Sequence, residues 1–239
     1  MGALTKLDFP SVLGIKWFSF PYREESKPAF LSCDFVPNGE LESMIQKSID
    51  QEAPQEWDLT KKMIVIYGIA KGMEHCHQNN ILHRNLNPEN ILLDVNYEPI
   101  ITGHDFQKFA NPIVEGYGTC LTVRVPFFTA PEKLANQEYN EKVDVYSFGI
   151  IVYYLLVGRH PFENLNMVNF ISRVTNGQRD EIPDDVQKEY HQLIRDCWDN
   201  SPGLRPSFKD IVDFLSHPNN YLQGIDVNAK GEFEILFLF

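Results

Sequence analysis

Apolar and polar positions divide the chain into short extended stretches followed by longer helical ones. Residues 11 to 36 read as two short strands, "LGIKWFSF" and "PAFLSCDFV", with the polar "PYREESKP" as the turn or hairpin loop between them. "PNGELESMI" then turns and starts a helix. In "DLTKKMIVIYGIAKGMEHCHQNN" the apolar residues Met63, Ile66, Ile69, Ala70 and Met73 recur at helical spacing. Asp58 is placed to cap that helix, and Asn79 and Asn80 to end it. "ILH", "NILLDV" and "IITG", with a turn at "NYEP", predict short strands in a hairpin. A long irregular stretch from about Asp105 to Pro131 follows, and connections of that length tend to be functional. Lys142 to Val157 predicts a strongly apolar helix that "HPF" breaks. Further helices are expected near 165–176, 184–198 and 207–216. No internal repeat or low-complexity tract is visible. A little sheet first and mostly helix afterwards is an α+β layout with a dominant helical part.

Composition narrows the function classes. The chain has 239 residues, of which 43% are hydrophobic and 13% aromatic, enough for a folded core. Its formal charge of -12 argues against a general nucleic-acid or anionic-membrane binder, because both need clustered positive charge. Cys33, Cys76, Cys120 and Cys197 are widely spaced, which points to reduced thiols rather than a disulfide or zinc framework. "MGALTKLDFP" lacks the pattern of a signal peptide, and Lys6 stands where a myristoylation motif wants Ser or Thr. The longest apolar run, "GIIVYYLLVG", is too short to span a bilayer. The expected address is the cytoplasm, with no membrane partner.

Candidate chemistry concentrates in "HRNLNPEN", residues 83 to 90. A histidine, an arginine and three asparagines lie within eight residues, with Glu89 as the single acid. Yet Asn85 and Asn87 are neutral amides that carry no proton near neutral pH. A working site, a former site and a surface loop are all consistent with that composition.

The order of these pieces resembles the protein kinase superfamily. "HRNLNPEN" looks like its catalytic loop, usually HRDLKPEN, and "NILLD" like the strand after it. "TAPEKL" (Thr129 to Leu134) resembles the APE segment that closes the activation segment. "DVYSFGIIVYYLLVGRHPF" (Asp144 to Phe162) resembles the buried central helix of the large lobe. "CWDNSPGLRPSF" (Cys197 to Phe208) resembles the late helix-loop-helix, and its wording is closest to the tyrosine-kinase-like branch. The resemblance implies a protein kinase-like α+β fold, mainly the helical C-lobe at 41–216, with residual N-lobe strands and hinge at 1–40. Residues 217–239 form a tail outside it, ending in the apolar "EILFLF".

That family uses ATP and Mg2+, with a carboxylate orienting the attacking hydroxyl. Measured against it, this chain has lost parts. Nothing in it matches the Gly-rich loop or the strand bearing the phosphate lysine. Asn85 replaces the catalytic aspartate, and loss of a general base typically costs about 10²- to 10⁴-fold. Asn87 replaces a lysine near the transferring phosphate. An ungapped alignment puts Gly103, His104 and Asp105 at the DFG positions, so Gly103 replaces the metal-binding aspartate; a rival alignment reads Asp105, Phe106 and Gln107 as a degraded DFG. Asn90, the family's second metal ligand, is present, and it reads either as a ligand or as a cap on the turn into "ILLD". Asp105 is the only acid within two residues of the lost metal position. His104 reads as a packed ring in the place of the DFG phenylalanine.

The resemblance gives the retained residues architectural roles. His83 and Arg84 would position the loop, Asp144 would accept hydrogen bonds from its backbone, and Glu132 and Arg205 would pair. Any adenine would meet Cys33, Asp34 at the hinge, and Leu92. Three functions follow. The first is an inactive pseudokinase that binds other proteins in signalling. The second is an active serine/threonine kinase. The third is a truncated relic.

Overall fold

The computed structural model describes residues 9–19, 30–103 and 126–225. Two antiparallel strand pairs precede and interrupt a helical body. Strands β1 (Ile15–Ser19) and β2 (Phe30–Cys33) form the first pair, with Ile15 opposite Cys33 and Ser19 opposite Phe30. Helices α1 (Leu41–Ile49) and α2 (Leu59–Gln78) follow. A 3-10 turn at Pro88–Asn90 leads into the second pair, β3 (Ile91–Leu93) and β4 (Pro99–Ile101), in which Leu92 faces Ile100. The remaining helices are α3 (Pro131–Leu134), α4 (Lys142–Val157), α5 (Met167–Thr175), α6 (Lys188–Cys197) and α7 (Phe208–Ser216).

Local chemistry explains the main boundaries. Asp58 Oδ1 accepts from Lys61 N at 3.0 Å and opens α2, and Asn79 closes it. Helix α2 lies close on β4 because two of its residues lack side chains. A Cβ at Gly68 would stand 2.5 Å from Pro99 Cγ, and one at Gly72 would stand 2.7 Å from Ile101 Cδ1. Helix α4 runs through the core, with every residue from Val143 to Leu155 buried. A helix apolar on all sides is stable only when surrounded, and each large side chain it buries contributes about 1.5–3 kcal/mol. Helix α7 opens with a reciprocal cap, in which Ser207 Oγ and Asp210 Oδ2 accept from each other's backbone N–H.

Two expectations need correction. "ILH" forms no strand: Ile81 N turns back to Cys76 O, and His83 N bonds a side chain instead of a neighbouring strand. The helix expected near 184–198 begins only at Lys188, because Val186 N bonds Pro183 O in a turn and Gln187 is extended. The irregular stretch expected to run to about Pro131 gives way there to the short helix α3, with Pro131 in its first turn. Most of that irregular stretch, with His104 and Asp105, lies outside the described residues, as does the tail from 226 onward. Among the described residues, no helix is long and apolar enough to cross a membrane.

Candidate active site

Asp144, fully buried on α4, organises the loop at 83–90. Its Oδ1 accepts from Arg84 N at 2.7 Å. Its Oδ2 accepts from His83 N at 2.8 Å and from His77 Nε2 at 3.0 Å. One carboxylate therefore joins α2, the loop and α4. His83, 1% exposed, accepts from Asn85 N at Nδ1 (3.3 Å), which leaves Nε2 to donate to Thr102 O at 2.6 Å. Arg84 takes a left-handed backbone with φ 65°, and its carbonyl accepts from Lys133 Nζ at 2.6 Å. Burial lowers the Lys133 pKa, and that short bond gives its amine a fixed partner.

The loop's amides hold one another. Asn87 caps the 3-10 turn, its Oδ1 accepting from Glu89 N (2.9 Å) and Asn90 N (3.2 Å). The turn's cap is thus Asn87 and not Asn90. The Asn87 Nδ2 donates to Asn85 O at 3.0 Å and lies 3.3 Å from Asn85 Oδ1. Asn90 Nδ2 donates to Asn85 O at 2.8 Å, while Asn90 O accepts from Thr102 N and Oγ1. The side chain of Asn85 is exposed.

Gly103 lies directly against Asn90. Its φ is +79°, and a Cβ built there would stand 2.9 Å from both Cγ and Oδ1 of Asn90. Mg2+ takes hard oxygen ligands in a near-octahedral shell. The described residues do not fit that ion here: residue 103 has no side-chain oxygen, and the Asn90 amide occupies the space a side chain there would need. Among the described residues, no three His, Cys, Asp or Glu side chains gather as metal ligands. The three expected adenine neighbours are placed apart in character: Cys33 and Asp34 are exposed where β2 ends, and Leu92 is half-buried within β3.

Arg205, 2% exposed, anchors the segment after the loop. It donates to Glu132 Oε1 and Oε2 at 2.7 and 2.9 Å, to Lys142 O at 2.9 Å and to Asp199 O at 2.8 Å. The guanidinium also lies over the Tyr146 ring, 5.1 Å from its centre.

Beside the loop is an open groove of about 500 Å3. Asn85, Asn87 and Glu89 line it together with Glu42, residues 126–129 and His160. Phe127 and Tyr154 stack on His160, with ring centres 4.6 and 4.0 Å away. Burial pushes the His160 pKa down to about 4, so the imidazole is neutral near pH 7. The groove's walls thus carry neutral amides, a neutral imidazole, aromatic rings and the carboxylates of Glu42 and Glu89.

His77, Thr102, Lys133 and His160 were not singled out from the sequence. A signal for His77 existed: it falls four residues after Met73 on the buried stripe of α2. Thr102, Lys133 and His160 carry no comparable pattern.

Comparison with known proteins bears on the same region. A "Probable serine/threonine-protein kinase" of Dictyostelium discoideum is 32% identical over 197 residues, 82% of this chain and 14% of that protein. Cyclic GMP-binding protein C of the same organism is 32% identical over 221 residues, 89% of this chain and 8% of that protein. A "Probable LIM domain-containing serine/threonine-protein kinase", also from Dictyostelium discoideum, is 30% identical over 193 residues, 81% of this chain and 28% of that protein. The chain thus spans less than a third of the length of each of these relatives. The family described as protein tyrosine and serine/threonine kinase matches residues 2–215, and with that span and the fold above, the chain belongs to this family.

Proposed function

We propose that this kinase-family domain no longer transfers phosphate and acts in the cytoplasm by binding other proteins in signalling. The observation that carries the reading is the contact between Asn90 and Gly103. Residue 103, which the ungapped alignment matches to the family's metal-binding aspartate, is a glycine; the amide of Asn90 lies 2.9 Å from where a Cβ there would stand and is tied to Asn85 O at 2.8 Å. Asn85 adds to it, because an amide can orient a hydroxyl but cannot take its proton. What remains is a rigid frame with an aromatic, carboxylate-bearing groove, suited to a protein surface.

A second reading is favoured by the relatives, two of which are named serine/threonine-protein kinases. On that reading the domain moves the γ-phosphate of ATP to protein hydroxyls with Mg2+, and the third expected function, a relic without a stable fold, is separate from both. Thermal unfolding of residues 1–239 with and without millimolar ATP and Mg2+ distinguishes the three. The expected result is one cooperative transition that nucleotide leaves unmoved. An upward shift of several degrees, together with phosphate incorporated into a protein substrate, would establish the kinase. A chain with no cooperative transition would be a relic.

A further inference from the structure

The described chain stops beside two cavities that share a wall. Gln187, just before α6, holds the segment after α7. Its Nε2 donates to Tyr221 O at 3.2 Å, and its Oε1 accepts from Gln223 N at 3.0 Å. Leu222, between those two residues, is buried. Gly224 then turns with φ +93°, and a Cβ built there would stand 3.7 Å from Leu59 Cδ1. The last described residue, Ile225, follows it.

The first cavity, of about 530 Å3, lies at this exit. Leu59, Leu156 and Leu222 line it together with the exposed acids Asp184, Asp185 and Glu189. The second, of about 310 Å3, lies where the end of α1, the start of α2 and the end of α4 meet. Ile45, Ile49, Leu155 and Val157 give it aliphatic walls, and Leu156 lines both cavities. Lys62 also lines the second cavity. It follows Leu59 by three positions on α2, so the two side chains are neighbours on one helix face. Ile49 and Leu59, one at each cavity, stay 40% and 41% exposed. An apolar surface therefore runs from the exit into the second cavity, with acids at its start and a lysine further along. The last turn of α4 also brings helix-end carbonyls there, which lack partners within the helix and suit the N–H groups of an entering backbone.

Residues 226–239 read "DVNAKGEFEILFLF". After Asp226 the tail carries its one lysine, Lys230, then Glu232 and Glu234, then the apolar "ILFLF". That order complements the surface: a cation for the acids at the exit, acids for Lys62, and large apolar side chains for the aliphatic walls. Reach is ample, since an extended chain covers about 3.3–3.6 Å per residue and Lys62 is one helical turn from Leu59. An apolar run of this kind left in water is an aggregation hazard, and burial removes it from water. Tethering also gives the tail an effective concentration of about millimolar at a site so close, which a separate partner lacks.

We propose that residues 226–239 fold back across Leu156 and seat "ILFLF" in the cavity between the ends of α1 and α4, with Glu232 and Glu234 toward Lys62.

The test is photo-crosslinking in the full chain, with p-benzoylphenylalanine in place of the half-exposed Ile49. Trypsin cuts after Lys230 and leaves residues 231–239 as one peptide, whose attachment to position 49 is read by mass spectrometry. Mixing isotopically light and heavy chains separates a link within one chain from a link between two. A link within one chain is expected. It should fall at least tenfold when Ile235, Phe237 and Phe239 are all replaced by serine, and at least threefold in Lys62→Glu. No link, a link only between chains, or a yield that either variant leaves unchanged would each overturn the proposal. If the photoreactive chain does not fold, the rate of tryptic cleavage after Lys230 in the unlabelled protein decides. The triple serine variant should be cut at least tenfold faster, and equal rates would overturn the proposal.

Discussion

Replacing Gly103 by alanine should destabilise the domain through two separable terms. With φ at +79°, any residue bearing a Cβ enters the left-handed region, at roughly 1–2 kcal/mol. The new methyl would also stand 2.9 Å from Cγ and Oδ1 of Asn90, too close for either to stay. Asn90 can yield only by rotating and releasing Asn85 O, which it holds at 2.8 Å. A hydrogen bond of that kind contributes about 0.5–1.5 kcal/mol. The expected loss is therefore about 2–3 kcal/mol, or several degrees in melting temperature for a domain of this size. Urea unfolding followed by far-ultraviolet circular dichroism measures it, with Asn90→Ala and the double variant completing a cycle. Once Asn90 is alanine, the obstacle is gone, and the cost of Gly103→Ala should fall to the backbone term alone. A coupling of about 1 kcal/mol is predicted. Equal costs in both backgrounds, or a neutral Gly103→Ala, would refute the claim that Asn90 fills the space beside residue 103.

Two further perturbations test the frame and the groove. Arg205→Met leaves the buried carboxylate of Glu132 without its bidentate partner, so urea unfolding should show a loss of about 3–5 kcal/mol; adding Glu132→Met should recover much of it, and additive losses would refute the pairing. His160 has a folded pKa near 4 against an ordinary 6.5, so the unfolded chain takes up the proton first as pH falls. Stability should therefore decline from pH 6.5 to about pH 4 and level off below, by at most about 3 kcal/mol from this group. In His160→Phe that part of the slope should vanish, and an unchanged pH profile of unfolding would show that the ring is not held neutral.

Much of the fold was legible because its causes are local. The apolar run at 142–157 is self-sufficient as a buried helix, and Asp58 and Asn79 mark both ends of α2 within reach of the residues they cap. What escaped depends on distant partners. "ILH" carries a strand's apolar pattern, but the N–H groups of His83 and Arg84 are claimed by Asp144, about sixty residues on. No short window of sequence contains that partner. In the loop itself, residue types alone left Asn90 as ligand or cap. Its actual bond to Asn85 O depends on the room left by a glycine thirteen positions later, which is a fact of packing.

The clamp on Asp144 has a consequence for how such a domain changes over generations. It grips the main-chain N–H of residues 83 and 84, and the frame uses the N–H and C=O of residue 85. The side chain at 85 is turned to solvent and adds one amide contact at 3.3 Å. Folding is therefore nearly indifferent to whether that position is an acid or an amide. Selection for a stable chain would neither preserve an aspartate there nor bring one back once lost. A descendant can shed its chemistry in one substitution and keep a shape that partners still recognise, so activity and architecture are inherited under separate pressures.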